Sequence, residues 1–189
     1  VDPRHLQLEL RELRLAQANP GMPIGPVQLS GSYKAALQTP TQGQLQLQQA
    51  AAVLMGGKLS LKPGQWDLAA KSLRFPVQVR GLQLEQLFIL YPTEGLAGTG
   101  TLDGHLPVQI SNQGVTIEQG YLAAREPGGH LQFSSESIRA FGRSNPTMQL
   151  VSQSLEDFRF STLSSEVSYD QQGKLVLAMR LEGQNPAIE

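Results

Sequence analysis

The chain has 189 residues, with 15 Lys and Arg against 16 Asp and Glu, a net charge of −1, and no Cys. That balance excludes a basic field for nucleic acid, and the missing Cys excludes a disulfide framework and thiolate catalysis. Charged residues are only 16% of the chain, against about 25% in ordinary soluble domains, and the abundance of Gln, Ser and Thr suits sheets with one apolar and one uncharged polar face. In chain order, period-2 alternation dominates and predicts half-buried strands. Leu6, Leu8 and Leu10 alternate with polar residues, then the phase slips to Leu13 and Leu15, which predicts a bulge. Asn19-Pro20-Gly21 and Pro23, Gly25 and Pro26 end that strand. Val27, Leu29, Gly31, Tyr33, Ala35 and Leu37 give the next, followed by Leu45 and Leu47, Ala50 to Met55, then Leu59 and Leu61. Lys62-Pro63-Gly64-Gln65 turns the chain into Trp66 and Leu68, and Leu73, Phe75, Val77 and Val79 form a strand that Gly81 is expected to end.

Leu84, Leu87, Phe88 and Tyr91 then break the rule with helical spacing, and Pro92 stops the helix. Leu102, Leu106, Val108 and Ile110 return to one strand face, and Val115 and Ile117 pair back across Ser111 to Gly114. Leu131 and Phe133 form a short strand. Pro146 to Leu155 is a second short helix, with Pro146 in its first turn and Met148, Val151 and Leu155 on one face. Leu163, Val167 and Tyr169 face Leu175, Leu177, Met179 and Leu181 across a last turn. Gln42-Gly43, Gln113-Gly114 and Gln172-Gly173 each open an alternating strand. Each reads as a hairpin whose Gly supplies a positive φ, and their unequal spacing predicts a meander and not a solenoid. No apolar run, Leu87 to Tyr91 included, nears the roughly 18 residues of a membrane span. Val1 and Glu189 read as points inside a longer chain.

The chemical motifs are weak. Gly95 to Gly104 is Gly-rich, but its spacing does not match a dinucleotide or P-loop fingerprint and it continues as strand. Asp103-Gly104-His105 lies near many Ser, without a nucleophile elbow. His5, His105 and His130 lack metal-ligand spacing. Adjacent Glu156 and Asp157 are not an obvious acid/base pair, and Trp66 reads as a packing anchor. No residue stands out as catalytic, and no cofactor is expected.

Two stretches carry a resemblance. Val77-Gln78-Val79-Arg80-Gly81-Leu82-Gln83-Leu84-Glu85-Gln86-Leu87 leads into Gly95-Leu96-Ala97-Gly98-Thr99-Gly100-Thr101-Leu102-Asp103-Gly104-His105-Leu106-Pro107-Val108. This resembles a recurring block of AsmA-like and TamB-like proteins of Gram-negative envelopes. The tail, Leu155-Glu156-Asp157-Phe158-Arg159-Phe160 through Gly173-Lys174-Leu175 to Leu181-Glu182-Gly183-Gln184-Asn185-Pro186, is similar to the C-terminal region of the YdbH family. The resemblance covers residues 77 to 186, and the first 76 residues only in style.

It implies a fragment, residues 1–189, of a longer protein, with 1–76 and 77–189 as successive β-meander units. The implied fold is all-β with two short helices, a curved antiparallel sheet forming an open gutter with an apolar interior. The implied function is a periplasmic conduit for phospholipids between inner and outer membranes, anchored in the inner membrane in full length. The implied lining is Phe75, Val77, Val79, Leu102, Leu106, Val108, Ile110, Val115, Ile117, Leu163, Val167, Leu175, Leu177 and Leu181. Gly98, Gly100 and Gly104 are expected to leave that face shallow, with room for an acyl chain. The implied partners are phospholipid acyl chains and a small outer-membrane lipoprotein near the C-terminal end; unpaired terminal strands add self-association. The alternative is a structural or adhesive β protein whose apolar face is an ordinary closed core, because alternation alone does not distinguish a core from a groove.

Overall fold

The structure, a computed structural model of the chain, describes residues 4–17, 23–144 and 146–188. The expected turn at Asn19-Pro20-Gly21 and the extreme residues Val1 and Glu189 lie outside the described residues. The first half holds β1 (His5–Leu15), β2 (Val27–Ala36), β3 (Gln44–Leu54), β4 (Gly57–Leu61), β5 (Gly64–Asp67) and β6 (Ser72–Gln83). After α1 (Leu84–Leu90) come β7 (Leu96–Thr99), β8 (Thr101–Ser111), β9 (Gly114–Ala124) and β10 (Gly129–Phe133). Two helices, α2 (Glu136–Ser144) and α3 (Pro146–Glu156), precede β11 (Phe158–Tyr169) and β12 (Leu175–Gln184).

Among the described residues all twelve strands join one antiparallel sheet in the order β1-β2-β3-β4-β6-β8-β9-β11-β10-β7, with β5 pairing β3 and β12 pairing β11. The sheet is open: among the described residues β1 pairs only with β2, and β12 only with β11. The meander expected from the hairpin signals accounts for most of this order. Its exception is the pair β7 and β10, which bond each other through His130 and Thr99, while β10 also bonds the start of β11.

Of the three Gln-Gly turns, Gly114 and Gly173 take positive φ as expected, at 119° and 82°. Gly43 does not; it is needed because a β-carbon there would collide with the Tyr33 ring and the Lys34 carbonyl. Gly81 does not end its strand. It sits at φ 74° in a bulge between Val79 and Leu82, and β6 runs on to Gln83.

That extension delivers the chain directly into α1. The helix starts where the Leu84 N–H donates to the Gly100 carbonyl, 2.9 Å away. Glu85 in the first turn favours the positive end of its dipole. Leu84 and Leu87 are buried, and Phe88 and Tyr91 pack against the same cluster, as their spacing predicts. The second expected helix is α3, which begins at Pro146. A helix not expected from the sequence, α2, precedes it. Its signals are electrostatic, Glu136 in the first turn and Arg143 in the last, and Ser134, Ser135, Ser137 and Gly142 obscure them. The buried Asn185 donates to the Gln153 carbonyl at 2.8 Å and so ties the end of β12 to α3. Trp66 is the packing anchor expected: it stacks on Phe75 at 5.1 Å, and its Nε1 donates to the Arg74 carbonyl, binding β5 to β6.

On the polar face one carboxylate fixes the Gly81 bulge. Asp103 Oδ1 accepts from the Gly81 N–H at 2.7 Å, and Arg125 donates Nε to Oδ2 and Nη2 to Oδ1 at 2.6 and 2.7 Å. Three strands, β6, β8 and the end of β9, are thus pinned at one point. The Arg125 hydrogen bonds, opposed by desolvation and reinforced by the Gly81 N–H, hold the Asp103 carboxyl below its ordinary range.

A lowered folded-state pKa means that this clamp stabilises the fold above the unfolded carboxyl pKa of about 4 and is lost as pH falls below it. The Asp103 side chain is 40% exposed, so solvent screening keeps the effect modest. Asp103→Asn is expected to cost about 1 kcal/mol at neutral pH in urea unfolding and to flatten the loss of stability between pH 4 and lower pH relative to the parent chain.

Candidate functional site: one apolar face across the sheet

A β-strand sends alternate side chains to opposite faces, and residues paired across an antiparallel ladder share a face. The pairings therefore decide which apolar residues lie together. Leu73↔Ile110, Phe75↔Val108, Val77↔Leu106 and Leu82↔Leu102 put β6 and β8 on one face. Val108↔Ile117 and Ile110↔Val115 carry that face to β9, and Ser165↔Leu122 and Tyr169↔Ile117 carry it to β11. Leu163↔Leu181, Val167↔Leu177 and Tyr169↔Leu175 take it to β12. In the other direction Leu59↔Val79, Ala52↔Leu59, Val27↔Ala52 and Leu15↔Val27 extend it to β1. All fourteen residues singled out from the sequence sit on this one face.

Their surroundings divide in two. Val79, Leu102, Leu163 and Val167 are 1–4% exposed and belong to a packed cluster with Leu84 and Leu87 of α1, Leu82, Leu122, Leu131 and Phe160. Leu106, Leu175, Leu177 and Leu181 pack at the margin of that cluster. Phe75, Val77, Val108 and Ile117 are half-buried, while Ile110 and Val115 are 41% and 42% exposed. At the far side, Leu8, Leu10 and Leu15 of β1 are exposed as well. The helix α1 thus covers one part of the face and leaves the rest open. The packing signal for this was in the sequence, in Leu84, Leu87, Phe88 and Tyr91, but their destination was not.

The glycines do not make the face shallow. A β-carbon at Gly98 would meet Phe88 and Leu131 at 3.0 Å, and one at Gly100 would meet the Phe160 ring at 3.1 Å. Gly104 faces the Tyr121 backbone of the neighbouring strand. These positions are small because aromatic rings and backbone already fill the space.

The weaker chemical motifs are scattered. His105 lies on the polar face, its ring 6.2 Å from that of Tyr121. His130 Nε2 lies 2.5 Å from Asp157 Oδ1, and Glu156 instead lines a polar crevice between α2 and α3 with Arg139 and Arg143. Asp103 is engaged by Arg125. Among the described residues no three His, Asp or Glu converge as a metal cage, and no helix is long and apolar enough to cross a membrane.

A family model described as YdbH-like, intermembrane phospholipid transport protein YdbH, matches residues 2–189. The chain belongs to that family, and the match extends over the first 76 residues, where the sequence resembles it only in style. The description of the family is one of intermembrane phospholipid transport. Comparison with curated proteins found no match, and comparison with solved structures found none.

The two parts of the face respond differently to truncation. Leu163→Ala, inside the packed cluster, is expected to cost about 3 kcal/mol, whereas Ile110→Ala is expected to cost less than about 1 kcal/mol. Urea unfolding of both variants checks this; equal losses would mean that the face is packed throughout.

Proposed function

We propose that this member of the YdbH-like family is one fragment, residues 1–189, of a longer periplasmic bridge that carries phospholipids between the inner and outer membranes along its apolar face. In this reading 1–76 and 77–189 are successive meander units of one groove, and the anchor in the inner membrane lies elsewhere in the full-length protein. The observation that supports it most is the register: the ladders joining β1, β2, β3, β4, β6, β8, β9, β11 and β12 place a continuous set of apolar side chains on one shared face of an unclosed sheet. A 16-carbon chain in water costs roughly 12 kcal/mol at about 0.8 kcal/mol per methylene. An apolar surface removes most of that cost at every point along its length, so a tail can move along it at nearly level free energy. The headgroup stays in water, and no catalytic group is required.

The closed-core alternative has a specific observation in its favour, the cluster under α1. It applies there and not to Ile110, Val115 or the leucines of β1. The small outer-membrane lipoprotein belongs to the proposal through the family resemblance. Self-association belongs to it through the one-sided pairing of β1 and β12, since an unpaired strand edge templates pairing with another chain. Light scattering of the purified chain is expected to show dimers or larger species, and a strictly monomeric chain would count against the edge contact.

Lipid contact is tested by a photo-crosslinking residue at Val108 or Ile110, which is expected to capture phospholipid in cells. One at Gln109, on the opposite face, is expected not to. Val108→Asp places a carboxylate on the apolar path, where it costs several kcal/mol if dehydrated or takes up a proton. Transport is expected to fail while the fold survives, because water reaches the charge on an open face. Equal capture at 108 and 109, or unfolding with no capture anywhere, would sink the conduit for this segment.

A further inference from the structure

The open part of the apolar face does not simply fade into solvent. At its end, beyond the last apolar pair Leu73↔Ile110, a cavity of about 530 Å³ is lined by Ala70, Lys71, Leu73, Ile110, Ser111 and Asn112. Its apolar lining is Ala70, Leu73 and Ile110; Ile110 is 41% exposed, and its ladder partner Val115, on the next strand, is 42% exposed. Its polar lining includes the Lys71 ammonium and the Asn112 amide, while the Ser111 hydroxyl accepts from the Gln113 N–H at 3.2 Å within the β8–β9 turn. Among the described residues the Lys71 ammonium has no hydrogen-bond or ion-pair partner. The carboxylate nearest to Lys71 in the chain, Asp67, accepts from the Ala69 N–H at 2.9 Å, and Asp170 of the β11–β12 turn accepts from the backbone N–H groups of Gln172 and Lys174. That turn is held beside the β8–β9 turn by Gln171 donating to Gln113 at 2.9 Å. The opposite limit of the path is α1, whose Leu84 and Leu87 are buried against the same face.

An apolar lining bounded by one unpartnered cation and one neutral hydrogen-bonding group matches a molecule that is hydrocarbon for most of its length and carries a single anionic oxygen group at its end. We propose that this cavity anchors the phosphate diester of a phospholipid, with Lys71 as counter-ion, Asn112 as the hydrogen-bonding group beside it, and the acyl chains laid on Leu73, Ile110 and Val115 toward α1. This rests on the transport reading and adds to it a place for the headgroup and an orientation for the lipid. A single exposed ammonium holds a phosphate weakly, as a transport path requires, because each station must release its cargo to the next. Asn112 and Lys71 are both exposed, so the headgroup keeps much of its hydration.

The experiment uses the 189-residue chain with a photo-crosslinking residue at Ile110 and vesicles of phosphatidylethanolamine and phosphatidylglycerol in equal parts. Lys71→Glu is expected to lower capture by roughly fivefold to tenfold, the loss of one charge-assisted contact and its replacement by repulsion. Lys71→Arg is expected to restore it, and thermal unfolding of both variants is expected to match the parent, because residue 71 lies in an exposed bend. With diacylglycerol, which has the same tails and no phosphate, Lys71→Glu is expected to change nothing. Capture from phospholipid vesicles that ignores Lys71→Glu overturns the anchor and leaves the conduit standing, as does an equal loss with diacylglycerol. A chain that binds inorganic phosphate through Lys71 yet captures no vesicle lipid at Ile110 overturns it too. Absence of lipid at positions 108, 110 and 115 alike overturns the anchor and the conduit together.

Discussion

The constraint on which the rest depends is strand register. A slip of one residue sends a whole strand's apolar set to the other face. Successive strands can share one apolar face only if every irregularity is compensated. In β1 the apolar phase changes between Leu10 and Leu13, and the ladder shifts at the same place, so Leu8 stays opposite Tyr33 and Leu15 opposite Val27. In β3 the phase changes between Leu47 and Ala50, and the ladder again shifts, so both lie opposite odd-numbered residues of β2. The bulge at Gly81 does the same for Val79 and Leu82, and Asp103 and Arg125 hold it from the polar side.

Given that face, α1 sets its use. A sheet with one apolar side must cover it or offer it to something apolar. The chain covers part of it with its own Leu84, Leu87, Phe88 and Tyr91, and this part behaves as a protein core. The remainder, from Phe75 and Val108 to Ile110 and Val115, is left half-buried or exposed. In the proposed function the occupant of this surface is an acyl chain. The stability of the chain and its proposed contact with lipid therefore reside in different stretches of the same strands, which allows one to be altered without the other.

Much of this was legible in the sequence because alternation is a local property. The strands, the phase slip in β1, the hairpins at Gly114 and Gly173, the α1 and α3 helices and the shared face of Leu102, Leu106, Val108 and Ile110 all follow from residues close together in the chain. The family block and tail were legible for the same reason. What nearby residues do not encode is which distant group fills a given space. Gly98 and Gly100 look like gaps in a strand, yet Phe88, Leu131 and Phe160 occupy the places their side chains would take. Gly81 looks like a strand end, yet Asp103, 22 residues away in the chain, holds it as a bulge and lets β6 run on. The helix α2 lay hidden because a Ser-rich, Gly-containing stretch has weak helical propensity. The division of one apolar face into a covered and an open part was decided only by tertiary structure, because burial depends on where α1 lands and not on the apolar pattern beneath it.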